Sequence, residues 1–151
     1  MRVMTFASAR ELDADDLDLV ALATRTIDAN TDAAPPEDDG IHTVGAAVRA
    51  GDGRMFAGVN VYHFTGGPCA ELVALGAARA NGAREIVTIV AVGDGGRGIL
   101  APCGRDRQVL VDYHPACRVL VLTADGPRSV LVTDLLPGAY VRNGSAGSPT
   151  A

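Results

Sequence analysis

The chain has 151 residues, 48% hydrophobic and 21% charged, which fits one globular domain with a substantial core and excludes a mostly disordered chain. A formal charge of −5, no Trp and 4% aromatics leave neither a polybasic footprint nor a stacking platform for nucleic acid. Three cysteines make no disulfide framework, no apolar run reaches membrane length, and Met1–Phe6 carries no signal-peptide pattern, so a cytoplasmic protein with no membrane partner is expected.

In chain order, Asp13 to Ala29 predicts a helix, with Leu17, Val20, Ala21 and Ile27 on one face and Asp13, Asp15 and Asp16 at its start. Thr31 to Gly40, rich in Asp and Pro, is a connecting loop. His42–Ala50 and Met55–Val61 are strand-like runs joined by Gly51-Asp52-Gly53, an opening hairpin. Cys69 to Asn81 follows as a helix closed by Gly82. Its Leu72, Val73, Ala74, Leu75, Ala77 and Ala78 leave almost no polar side, so a sheet and another subunit are expected to cover it.

Ile86–Val92 is a β-branched run of the kind buried on both faces. Gly93–Gly98 spells G-x-G-x-x-G, but Ile-Leu-Ala-Pro precedes the next helix, so it reads as a flexible loop and not a dinucleotide fingerprint. A helix from Cys103 to about Asp112 is followed by strands at Arg118–Thr123 and Ser129–Val132, then a closing segment through Leu135, Leu136 and Tyr140. The expected architecture is a three-layer α/β/α sandwich with one mixed sheet of about five strands. Residues 1–142 form its single domain and 143–151 a flexible tail, with no internal repeat.

Two strings carry the chemistry: Pro68-Cys69-Ala70-Glu71 and Pro102-Cys103-Gly104-Arg105-Asp106. Each places a proline and a thiol where a helix begins, the proline suited to the first turn and the thiol at the positive end of the dipole. Cys103 and Asp106, three apart on a helix, share a face. If the two helix starts converge, Cys69, Cys103 and Asp106 can hold one zinc and leave a fourth position for water, with Glu71 as acid and base beside it. Spacing alone also allows inert core thiols, and an Asp106 that complements the helix dipole or pairs with Arg105 or Arg107.

The order Cys69-Ala-Glu71 followed by Pro102-Cys103-x-x-Asp106 resembles the signature of the cytidine deaminase superfamily. Within it, the run from Gly58 to Val73, Arg97-Gly-Ile-Leu-Ala-Pro-Cys-Gly-Arg105 and Arg107-Gln-Val-Leu110 look very like the blasticidin S deaminase branch, over about Val44 to Val141. The resemblance implies a homotetramer with active sites at subunit contacts, one zinc per subunit, and attack by zinc hydroxide on C4 of a cytosine ring with loss of ammonia. By position, Cys69 and Cys103 would be ligands, Glu71 the proton shuttle, and Asn60, Tyr62, Ala70, Pro102 and Tyr140 would meet an aminated pyrimidine nucleoside or base.

Three positions depart from the wider pattern. Tyr62 stands where ordinary cytidine deaminases carry a ribose-binding glutamate, Asp106 replaces the third ligand cysteine, and Arg142 replaces a Trp. Carboxylate is an accepted zinc ligand, harder than thiolate, so other divalent ions come into range. Asp106 also motivates the rival reading: a catalytically silent relative that binds a heterocycle or acts as an oligomeric scaffold. His42, His63 and His114 show no ligand spacing, although His63 stands close to Asn60, and Cys117 reads as a packed thiol.

Overall fold

Asp13 starts the first helix, α1 (Ala14–Asn30), through a reciprocal cap. Its carboxylate accepts the Asp16 N–H at 2.9 Å, and Asp16 Oδ2 accepts the Asp13 N–H at 3.2 Å. The structure, a computed structural model, describes residues 5–141; Arg142 and the tail 143–151 lie outside the described residues.

The buried stripe of α1 is Asp16, Leu19, Ala23 and Ile27, while Leu17 is 57% exposed, so the expected apolar face is rotated. Asp16 explains the rotation. Its carboxylate lies 3.4 Å from Arg49 Nη2, a nitrogen that also donates to Thr88 Oγ1 at 3.0 Å. A charge that a periodicity reading assigns to solvent is paired inside instead.

After α1 come β1 (Val44–Ala50), β2 (Met55–Val59), α2 (Ala70–Ala80), β3 (Ile86–Gly93), β4 (Gly98–Leu100), α3 (Gly104–Tyr113), β5 (Arg118–Thr123) and β6 (Gly126–Leu131). A 3-10 turn, Val132–Leu135, closes the order. One mixed sheet runs β2-β1-β3-β5-β6; β3 and β5 are parallel, the other pairs antiparallel, and β4 pairs with the end of β3.

Alternation along the strands builds two cores. Val48, Ile89, Ala91, Val119 and Val121 pack with α2 and α3 on one face, while Ala47, Val90, Val92 and Leu120 pack with α1 on the other. That is the expected three-layer sandwich. It has six strands where about five were expected, and the extra one is β4. Gly93–Gly98 is a hairpin turn: Gly95 (φ 59°) and Gly96 (φ 75°) take the left-handed backbone at both central positions, and the Arg97 N–H returns to the Asp94 carbonyl at 3.1 Å. The last strand begins at Gly126, before the expected Ser129, since Pro127 is tolerated in a strand at the sheet's edge.

Candidate metal centre and cleft

Cys69 caps α2 and Cys103 caps α3, both with extended backbone (φ −62°, ψ 157° and φ −72°, ψ 172°). Pro68 and Pro102 therefore stand one residue outside the cap, not in the first turn as expected, because the cysteines themselves occupy the caps. The Pro68 carbonyl accepts the Val61 N–H at 3.0 Å, which closes the loop between β2 and α2 on itself.

The two helix starts converge. Cys69 Sγ and Cys103 Sγ are 3.5 Å apart, and these sulfurs and an Asp106 carboxylate oxygen all lie within 4.8 Å of one another. Asp106 Oδ2 accepts the Cys103 N–H at 3.2 Å, while Oδ1 is buried with no hydrogen-bond partner. Neither Arg105 nor Arg107 pairs with Asp106: their guanidinium groups go to the carbonyls of Gly66, Gly67, Pro102 and Leu135.

These residues fit a zinc ion. Two sulfurs at about 2.3 Å on a tetrahedral centre stand roughly 3.8 Å apart, close to the spacing here. A buried carboxylate oxygen without a partner is costly unless a cation or a donor meets it. Both helix dipoles present their positive ends to the anionic donors.

Glu71, 5% exposed in the first turn of α2, lines the same site. Burial first, and then the neighbouring Asp106 carboxylate, raise its carboxyl to about 7. A group balanced near neutrality both takes and gives a proton. Burial pushes the Cys69 thiol up to about 11, opposed by a hydrogen bond from Arg105. A cation bound there must displace the thiol proton.

The donors open into a cleft of about 260 Å³ at one end of the sheet, walled by Val44, Val61, Ala91 and Leu100. Asn60, Tyr62 and Ala70 also line it. The Asn60 amide is largely engaged: Oδ1 accepts the Thr43 and Val44 N–H groups at 2.9 and 3.0 Å, and Nδ2 donates to the Ile41 carbonyl at 2.8 Å. It pins the approach to β1 and keeps one N–H free.

Pro102 is buried and Tyr140 is 77% exposed, and neither lines the cleft of the single chain. The Tyr140 carbonyl accepts Gln108 Nε2 at 3.0 Å. His63 turns back onto Thr65 and not into the cleft, and His42 Nδ1 meets the Asn60 carbonyl at 2.8 Å. The sequence reading missed the Leu100 wall because β4 carries no period of its own; the paired glycines at 95 and 96 were the available signal.

No family model matches the chain. Known proteins do. It is 34% identical over 137 residues to the blasticidin-S deaminase of Bacillus cereus, spanning 85% of this chain and 94% of that protein. It is 38% identical over 101 residues to a cytidine deaminase of Halalkalibacterium halodurans, spanning 64% of this chain and 76% of that one. The crystal structure of cytidine deaminase from Mycobacterium leprae superposes with a TM-score of 0.64 at 31% identity, covering 83% of this chain and 99% of that chain.

Proposed function

The chain belongs to the cytidine deaminase superfamily, and on that premise we propose that it is a zinc-dependent hydrolytic deaminase of an aminated pyrimidine nucleoside or base. The observation that carries the reading is the meeting of Cys69, Cys103 and Asp106 beside a buried Glu71 in one cleft. A zinc ion held by those three residues would supply Lewis acidity and a water acidic enough to react near neutral pH.

The chain's own residues do the rest. Glu71 takes a proton as water adds to the amine-bearing ring carbon and passes it to the ring nitrogen. It then takes the hydroxyl proton of the adduct and delivers it to the exocyclic nitrogen, which leaves as ammonia as the carbonyl forms. Val44, Val61, Ala91 and Leu100 give the ring an apolar berth and thin the water around Glu71, which keeps its carboxyl near neutrality. The free Asn60 N–H serves a substrate hydroxyl, and Tyr62, 62% exposed at the mouth, offers an aromatic face where a carboxylate would grip a ribose. This favours a substrate other than plain cytidine.

At about 260 Å³ the cleft is smaller than most small-molecule sites, which run from about 300 to 1,000 Å³. Its lining includes the exposed Val61 and Tyr62. A neighbouring subunit completes it, so the working form is a homo-oligomer, a tetramer in the present proposal, with Tyr140 available to such a contact.

The test is ammonia release by metal-replete protein from blasticidin S, cytidine, deoxycytidine and cytosine, with zinc content measured on the same sample. At least one should turn over. Glu71→Gln should keep its zinc and lose on the order of 10²–10⁴-fold in rate. Silence on the whole panel with zinc bound would overturn the reading in favour of a non-catalytic binder, and full activity in Glu71→Gln would remove the proton carrier.

A further inference from the structure

The side chain of Asn60 is held on two sides by the chain ahead of β1. Its Oδ1 accepts the Thr43 and Val44 N–H groups, so both lone pairs are used, and one Nδ2 hydrogen goes to the Ile41 carbonyl at 2.8 Å. Exchanging the amide oxygen and nitrogen would set donors against donors, so this orientation is the one its neighbours allow. The direction of the remaining N–H is therefore fixed by where the Ile41 carbonyl stands. His42 adds a third hold: its Nδ1 lies 2.8 Å from the Asn60 carbonyl, which can only accept, so the ring nitrogen donates.

Ile41 and His42 belong to the loop between α1 and β1, and Ile41 is exposed, so packing does not place them. Asp32 does. Its Oδ1 accepts the Ile41 N–H at 2.9 Å and the His42 N–H at 2.8 Å, across nine and ten residues of chain. Gly40 (φ 74°) permits the close approach, since a Cβ there would stand 2.8 Å from Asp32 Oδ1 and 2.7 Å from the Ala33 nitrogen. The base of the loop is anchored as well. Thr31, at the end of α1, donates from Oγ1 to Asp94 Oδ2 at 2.5 Å and accepts the Ala33 N–H at 3.1 Å. Among the described residues no arginine forms an ion pair with Asp32, so its charge is directed at these two N–H groups. Hydrogen bonds to an ionised acceptor are roughly twice as strong as neutral ones.

We propose that Asp32 is a positioning residue of the substrate cleft: it fixes the Ile41–His42 turn, the turn fixes the Asn60 amide, and the remaining N–H of that amide is thereby aimed at a hydroxyl of a nucleoside sugar. This rests on the deaminase reading above, and the test separates the two.

Wild type, Asp32→Ala, Asp32→Asn, Asn60→Ala and the double variant Asp32→Ala with Asn60→Ala are assayed on the nucleoside that wild type turns over fastest. Because Asp32 is exposed, its variants should fold, which matching far-ultraviolet circular dichroism checks. Asp32→Ala should raise KM about three- to tenfold, the worth of one well-directed hydrogen bond, with kcat within about twofold, the mark of lost binding and not of lost chemistry. Asp32→Asn keeps the accepting oxygen and loses the charge, so its KM should fall between. In the Asn60→Ala background, Asp32→Ala should raise KM no further, because the group it positions is already gone. If Asn60→Ala does not fold, the two Asp32 variants decide by their KM alone. A wild type with zinc bound that turns over no member of the panel overturns the deaminase reading and this inference with it. An active wild type whose KM is unchanged in Asp32→Ala, or rises as much with Asn60 as without it, overturns the role of Asp32 and leaves the deaminase standing. Turnover of a free base alone does the same.

Discussion

A single atom at the residue scale decides how the site is read: the Oδ1 of Asp106, buried and without a partner. Its sister oxygen already fulfils the helix-capping role, accepting the Cys103 N–H. Capping explains one oxygen and not the other, which either a bound cation or the protonated form of the neighbouring Glu71 carboxyl satisfies. Ligation is the reading that separates by test, and it yields a prediction in two directions. Asp106→Cys should hold zinc more tightly, since a softer donor suits the ion. With cobalt(II) in place of zinc, it should raise the sulfur-to-metal absorbance by about half, as three thiolates replace two. Asp106→Asn, nearly isosteric and uncharged, should lose zinc to a chelator that leaves the wild type loaded. Equal retention in wild type and Asp106→Asn would show that the carboxylate is not a ligand. From the sequence, Asp106 could be placed on the face of Cys103. Its lack of an arginine partner could not, because both neighbouring guanidinium groups turn to backbone carbonyls that only the folded loops bring near.

Helix α2 carries the lesson at the scale of elements. Its sequence has almost no polar side, and the fold buries Ala70, Glu71, Ala74 and Ala78 while leaving Leu72 and Leu75 partly open. Those leucines line a groove of about 670 Å³ between α2 and α3, together with Val109 and Tyr113. In the proposed oligomer, a groove carrying these apolar side chains among Arg79, Arg84 and Asp112 suits a subunit contact. Leu75→Glu should therefore shift the assembly toward monomer in analytical ultracentrifugation and lower activity with it, while a circular dichroism spectrum of wild-type shape shows the fold intact. A wild type that sediments as a monomer at assay concentration would reject the contact. Elements with strong period or punctuation were legible: the hairpin of β1 and β2, the β-branched β3, and both site helices. β4 was not, since three residues after a glycine turn carry no period of their own. The face of α1 was misjudged because Asp16 is buried against Arg49, a pairing fixed by tertiary structure alone.

For the whole molecule, the fold gives physical content to the division of labour among three cysteines that the sequence already suggested. Cys69 and Cys103 meet at the cleft, whereas Cys117, at 1% exposure, packs among Ile86, Val119 and Val132 in the core shared by α2 and α3. Its sulfur faces the Arg118 carbonyl at 3.3 Å, and burial pushes its thiol up to about 12 from an ordinary 9.0. The consequence is alkaline sensitivity, and its sign is fixed. Between those two values the unfolded chain has released the proton and the folded chain has kept it. Stability is therefore fully present below pH 9 and falls as pH rises toward 12. The slope attributable to one such group is at most about 1.4 kcal/mol per pH unit. Urea unfolding of wild type and Cys117→Ala between pH 8 and pH 11 isolates it, because the two proteins differ in this group alone. Cys117→Ala should be the less stable protein at pH 8, through lost packing, and the flatter one above pH 9, so the two curves converge as the pH rises. Parallel curves would mean that the folded chain tolerates a thiolate at Cys117, and that the core shared by the two site helices is open to water.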